Sequence, residues 1–148
     1  ARQGDPRRFP FNQPKVEDYG YSFSGLKTAL LYFLRDELKT QPHFIEDNLN
    51  DLCASWQFTI VDYLMAKFEK AIVDTGSTNI GIAGGVAANS YLRQRLQELG
   101  DRLGVRTFIP DFQYCLDNAG MIAQAAWYKY LNKDFAEMDV MPFTRHHK

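Results

Sequence analysis

Ile80-Gly81-Ile82-Ala83-Gly84-Gly85-Val86-Ala87-Ala88-Asn89-Ser90-Tyr91-Leu92 decides how this chain is read. A short apolar run stops at a double glycine, and a helical pattern follows at once. Strand, glycine turn, helix is how many α/β folds hold a nucleotide or an acyl-adenylate. Gly84 and Gly85 have no Cβ, so a ligand can touch the backbone there. The helix start behind them offers unpaired N–H groups and a positive dipole end. The stretch predicts a ligand loop without naming the ligand.

Working outward, Asn79 to Ala83 is a short buried strand. Asn89 or Ser90 starts a helix with Leu92, Leu96, Leu99 and Leu103 inward, ended by Gly100 or Gly104. Val105 to Ile109 is a second strand, stopped by Pro110. Such a βαβ unit makes the two strands parallel, with a right-handed crossover. Upstream, Leu49, Leu52, Cys53, Trp56, Ile60, Leu64, Phe68 and Ile72 form one stripe of a long helix from about Asp47 to Val73. That helix is the predicted spine, and Asp74-Thr75-Gly76-Ser77 ends it. Before it, Ser22 or Ser24 caps a helix in which Leu26, Ala29, Leu30, Phe33 and Leu34 recur up to Leu38. Gln41-Pro42 breaks that helix. A last helix starts near Asp117-Asn118, with Met121, Ile122, Ala125, Ala126 and Leu131 as its packing face.

The predicted fold class is therefore α/β, mostly helical, with one parallel βαβ unit. The expected organisation is a single unit over 1–148. It has an irregular segment at 1–20 around Pro6, Pro10 and Pro14, a helical part at 21–75, a βαβα part at 79–131 and a tail at 132–148. Two strands make a poor sheet by themselves. The opening Ala1-Arg2-Gln3-Gly4-Asp5-Pro6 also reads as mid-chain loop. Both features lead us to expect a C-terminal fragment of a longer two-domain protein.

Composition narrows the function classes. The chain is 45% hydrophobic and 14% aromatic, enough for a core, and its formal net charge is −1. No global field drives it toward nucleic acid or membrane. Contact with RNA would need a local patch such as Arg93, Arg95, Arg102 and Arg106, which otherwise reads as a solvated helix face. No apolar run approaches the ~20 residues of a membrane span. Cys53 and Cys115 sit inside apolar patterns, so no disulfide framework is expected, which suits a reducing cytoplasm. The histidine pair in Arg145-His146-His147-Lys148 reads as a frayed terminus rather than a metal site.

Several residues could carry chemistry. Asn89 can donate and accept toward a ribose, carbonyl or carbamoyl group, or it can serve as a helix N-cap. Asp117 follows the second strand, where open α/β sheets present ligands. Its carboxylate could bind a metal, act as a base or cap a helix. Ser24 and Lys27 stand at a helix start where an anion could bind, or where a capped amphipathic helix simply begins. No HExxH, GxSxG or P-loop lysine motif occurs, which argues against hydrolase chemistry built wholly within this chain.

Three stretches taken together resemble one family. Tyr21-Ser22-Phe23-Ser24-Gly25-Leu26-Lys27-Thr28 is similar to the SFSGLKT box of the TsaD family, also called Gcp or YgjD. Ala83-Gly84-Gly85-Val86-Ala87-Ala88-Asn89-Ser90-Tyr91-Leu92-Arg93 resembles its AGGVxAN box. Cys115-Leu116-Asp117-Asn118-Ala119-Gly120-Met121-Ile122-Ala123 resembles its CTDNxAMIA box. Gly4-Asp5-Pro6, Phe9-Pro10-Phe11 and Val61-Asp62 also fit, so order and spacing agree across nearly the whole chain.

The resemblance implies a partial fold of the actin, sugar-kinase and Hsp70 (RNase H-like) type. It also implies an acyltransferase that moves threonylcarbamoyl from threonylcarbamoyl-adenylate to the adenosine beside the anticodon of tRNA. The family was once labelled O-sialoglycoprotein endopeptidase, so a metal-dependent glycoprotease is the alternative activity, and a non-catalytic binding or scaffold piece is another. Family partners are TsaB and TsaE, with TsaC supplying the adenylate. By position, Asn89 would contact the adenylate, Gly84 and Gly85 would shape its cradle, and Asp117 would be one ligand of an iron(II) or zinc(II) ion. Ser24 and Lys27 receive no firm role. The family's two metal-binding histidines and its SGGHT-type loop have no counterpart here, and Leu116 stands where the family has Thr. The missing histidines lead us to expect that the chain alone is inactive, and surfaces that an absent half would cover are expected to be apolar and prone to self-association.

Overall fold

The computed structural model describes residues 1–141, so the histidine pair at 146 and 147 lies outside the described residues. The first helix, α1, spans Phe23–Leu38. Ser22 rather than Ser24 caps it, its Oγ accepting the Gly25 N–H at 3.2 Å. The second, α2, spans Phe44–Thr75 and starts earlier than the periodicity predicts, with His43 at its N-cap and Pro42 just before. Proline suits the approach to a helix, where its missing N–H costs nothing. Gly76 ends α2 in the left-handed conformation (φ 64°).

Strand β1 (Asn79–Gly81) leads through a 3-10 turn (Gly85–Ala88) into α3 (Ser90–Leu103), closed by Gly104. Strand β2 (Arg106–Phe108) follows, then a second 3-10 turn (Phe112–Tyr114) and α4 (Ala119–Leu131). The strands pair in parallel, Ile80 opposite Thr107, so the predicted βαβ unit is present, with each strand shorter than expected. The fold is mostly helical with this one two-stranded sheet among the described residues.

Burial along α2 departs from a single stripe. Leu52 and Ile72 are buried, but Leu49 and Cys53 are exposed. The helix is instead covered on two sides in succession. Its first half joins Phe11, Phe44 and Leu52, flanked by Phe9, Phe33 and Trp56. Edge-on ring pairs such as Phe11–Trp56 (5.3 Å between centroids) lock this cluster. Its second half packs Val61, Met65 and Ile72 against Ile80, Leu92, Leu96 and Leu99 from the βαβ unit. The sides differ in direction, so no single face of α2 is continuously apolar.

The segment at 1–20 lacks helix and strand, yet it is firmly held as a strap along α2. Asp51 accepts the Asp5 N–H at 2.7 Å and the Arg8 guanidinium at 2.6 Å. Those two donors hold its carboxyl below the usual carboxylate range. Gln13 reaches the Thr59 carbonyl and Asp62, Lys67 donates to the carbonyls of Val16 and Asp18, and the Tyr19 hydroxyl donates to Asp74. At the centre lies Ser55, wholly buried. Its Oγ donates to the Asp5 carbonyl at 3.0 Å and accepts the Phe9 N–H at 3.1 Å. Gly4 runs so close to α2 that a Cβ there would meet the Asn50 carbonyl oxygen at 2.1 Å.

The predicted packing of α4 is not observed. None of its residues is buried, and Met121, Ile122, Trp127, Tyr130 and Leu131 are all exposed. Apolar residues surround this helix instead of forming one stripe, so one neighbour within the chain could not cover them all.

Ser55→Ala removes the only hydroxyl that satisfies both the Asp5 carbonyl and the Phe9 amide. A buried polar group left unpaired costs about 1–3 kcal/mol. Thermal unfolding followed by circular dichroism should show a Tm lowered by roughly 3–10 °C. An unchanged Tm would mean the strap is not anchored at Ser55.

Candidate functional site

The glycine stretch forms a turn, but its geometry differs from a strand feeding straight into an α-helix. Gly84 takes φ 83° and ψ 175°, a conformation open to glycine and strained for residues with a Cβ. The chain then makes one 3-10 turn, with the Ala87 N–H donating to the Gly84 carbonyl at 2.9 Å. Only after Asn89 does α3 begin. The α3 terminus is therefore set back from the glycines and already capped.

Asn89 is that cap. Its Oδ1 accepts the Leu92 N–H at 3.0 Å, while its Nδ2 donates to Gln57 Oε1 at a long 3.4 Å. The two amide atoms are unequally committed. The oxygen is needed by the helix, and the nitrogen is held by a bond near the limit of useful geometry. Asn89 lines a groove of about 440 Å³ between α2 and the turn before α3, together with Cys53, Trp56, Gln57, Ile60 and Val86. That volume suits a small organic ligand.

The Asp117 turn lies beside the glycine turn. A Cβ built on Gly85 would stand 3.2 Å from Leu116 Cδ2, so the two turns touch. Each follows the C-terminal end of one of the two parallel strands, the edge where α/β sheets present ligands. The capping alternative for Asp117 is not realised. The cap of α4 is Asn118, whose Oδ1 accepts the Met121 N–H at 3.2 Å and whose Nδ2 donates to the Leu116 carbonyl at 3.0 Å. Gly120 leaves room for that cap, since a Cβ there would press on Asn118 Oδ1 at 3.0 Å. Asp117 is exposed and free of capping duty. Among the described residues no three His, Cys, Asp or Glu side chains converge to hold a metal. One carboxylate does not fit a metal that needs several ligands, so this chain's described residues do not build a metal centre by themselves.

Ser24 and Lys27 stay on the exposed side of α1 and do not line the groove at Asn89. Three of the four arginines go to separate partners. Arg95 faces Asp62 and Glu98, Arg102 makes a two-pronged pair with Glu69 at 2.7 and 2.8 Å, and Arg93 turns into the space between the two turns. Sequence reasoning missed Arg93 in that position, and it missed Gln57 as Asn89's partner. Helical spacing places Arg93 one turn beyond the cap, but nothing local says which loop it meets.

The family model for TsaD, described as tRNA N6-adenosine threonylcarbamoyltransferase, matches residues 1–124. The chain belongs to the TsaD family. Relatives bearing that same description include proteins from Christiangramia forsetii and Riemerella anatipestifer, each 49% identical over 146 residues, 99% of this chain and 43% of the relative. One from Thermosipho africanus is 41% identical over 134 residues, 88% of this chain and 38% of the relative. The chain thus spans under half the length of the TsaD relatives it matches. The glycine and Asp117 turns both fall inside the matched region.

The capping role of Asn89 gives a clean expectation. Asn89→Ala should cost about 0.5–2 kcal/mol, whereas Asn89→Asp, an equally good cap, should leave stability nearly unchanged. Denaturant unfolding of the two variants checks this, and equal losses for both would remove Asn89 from the cap.

Proposed function

We propose that this chain forms one wall of the site at which a TsaD enzyme transfers threonylcarbamoyl from threonylcarbamoyl-adenylate to the exocyclic amine of the adenosine beside the anticodon in tRNA. The observation that supports this most is the contact of the glycine turn with the Asp117 turn at the strand ends, in a chain belonging to the TsaD family. In the reaction the amine bonds to the carbamoyl carbon and AMP leaves.

In this reading the exposed backbone at Gly84 and Gly85 lies against the adenylate, and Asn89 Nδ2 exchanges its long bond to Gln57 for one to the substrate. Asp117 supplies one ligand to an iron(II) or zinc(II) ion whose remaining ligands lie outside this chain. The whole protein would be a two-domain fold of the actin, sugar-kinase and Hsp70 type, acting in the cytoplasm with TsaB- and TsaE-like partners. No helix among the described residues is long and apolar enough to cross a membrane.

A binding and turnover pair tests this. The chain should bind threonylcarbamoyl-adenylate weakly. Asn89→Asp should weaken that binding by roughly 5–20-fold, the worth of one hydrogen bond, while keeping the fold. Supplied with Fe(II) or Zn(II), adenylate and tRNA, the chain alone should form no modified adenosine. Turnover by the chain alone, or unaltered affinity in Asn89→Asp, would overturn the assignment.

Self-association belongs to the same proposal. The chain exposes 11476 Å², about half as much again as a compact protein of its mass, ~7,800 Å². With a net charge of −1, little repulsion keeps copies apart. Sedimentation velocity should show a concentration-dependent dimer that Ile122→Asp on α4 disperses; a monomer at all concentrations would remove self-association.

A further inference from the structure

Arg93 leaves α3 in its second turn and enters the space between two loops far apart in sequence. Its Nη1 donates to the Ala87 carbonyl at 3.0 Å, inside the 3-10 turn after the glycines. The same nitrogen lies 3.8 Å from Cys115 Sγ, and the guanidinium carbon sits 4.3 Å above the Phe112 ring. Both of those residues belong to the stretch that leads into Asp117. Cys115 is 2% exposed, and its thiol also donates to the Asp111 carbonyl at 3.6 Å.

No carboxylate pairs with Arg93 among the described residues, unlike Arg95 and Arg102 on the same helix. Its charge is met by a carbonyl, an aromatic face and a thiol. That set suits the flat, forked guanidinium, which can stack and donate at once, and it does not suit a lysine ammonium. Among the described residues, this side chain is the hydrogen-bonded link between the two turns, beside the packing of Leu116 on Gly85.

We propose that Arg93 is a positioning residue that clasps the Gly84–Ala88 turn to the Asp111–Asn118 stretch and so sets the distance between the adenylate cradle and Asp117. The inference rests on the site proposed above for its functional meaning. The clasp itself is measurable without any ligand. Opening it uncovers Cys115, while Cys53 on α2 is exposed throughout and serves as an internal reference.

The experiment is site-resolved alkylation of the chain by iodoacetamide, read by mass spectrometry as the ratio of Cys115 to Cys53 modification. Arg93→Ala should raise that ratio on the order of tenfold, because a local opening is made easier while the rest of the fold holds. Arg93→Lys should give an intermediate value. Arg102→Ala, which breaks the Glu69 pair elsewhere on α3, should lower Tm without raising the ratio. Should Arg93→Ala fail to fold, Phe112→Ala opens the clasp from its other side and should raise the ratio likewise. A ratio unmoved in the folded Arg93 or Phe112 variant, or raised equally by Arg102→Ala, overturns the clasp. Adenylate affinity is measured in parallel. A clasp that opens as expected, with no adenylate binding in the unmodified chain, would sink the site assignment and leave the clasp standing.

Discussion

Everything in this molecule leans on α2, and α2 can bear that load only because it is buried in two directions along its length. A helix of 32 residues is about 48 Å long at 1.5 Å per residue. No single neighbour in a chain of this size covers such a rod. Phe9 and Phe11 of the strap, with α1, cover its first half through the aromatic cluster with Phe44 and Trp56, and the βαβ unit covers its second half through Met65 and Ile72. Gln57 and Val61 fall where these coverings meet, and the groove lined by Asn89 opens there. The candidate site thus lies at the seam between two small cores.

Local chemistry made the elements legible. Ser22, Gly76, Asn89 and Gly104 are residues whose side chain, or lack of one, starts or stops a helix, and each stands at an observed boundary. Parallel pairing followed from the short βαβ spacing. Tertiary choices were less legible. One face was inferred for α2 because periodicity reports that some side is apolar, not that coverage switches sides near Val61. For α4, Met121, Ile122 and Ala125 do form a helical face, but Trp127, Tyr130 and Leu131 populate the others. A helix apolar all round signals burial within a larger body.

The site shows the same division. Composition located both turns, since double glycine and an Asp-Asn pair are strong local signals. Which of Asp117 and Asn118 would cap could not be read, because both side chains accept amide hydrogens equally well. The structure gives that duty to Asn118 and leaves Asp117 exposed. Asn89 had two roles open to it, and the structure shows the cap: its oxygen serves the helix, while its nitrogen is held by Gln57 at a long 3.4 Å. Arg93 was invisible as a link, because its partners at Ala87 and Cys115 lie on opposite sides of it in the chain.

The strap has a consequence for how the molecule is made. Its bonds join residues separated by 43 to 55 positions, as in Arg8 to Asp51 and Tyr19 to Asp74. A ribosome adding about 5–20 residues per second delivers the strap several seconds before the helix it must lie on. Over that interval Phe44 and Trp56, which meet Phe9 and Phe11 edge-on, are still to come, and the segment waits without its helix. Docking cannot begin until α2 has emerged, so the strap, although made before that helix, is ordered only after it.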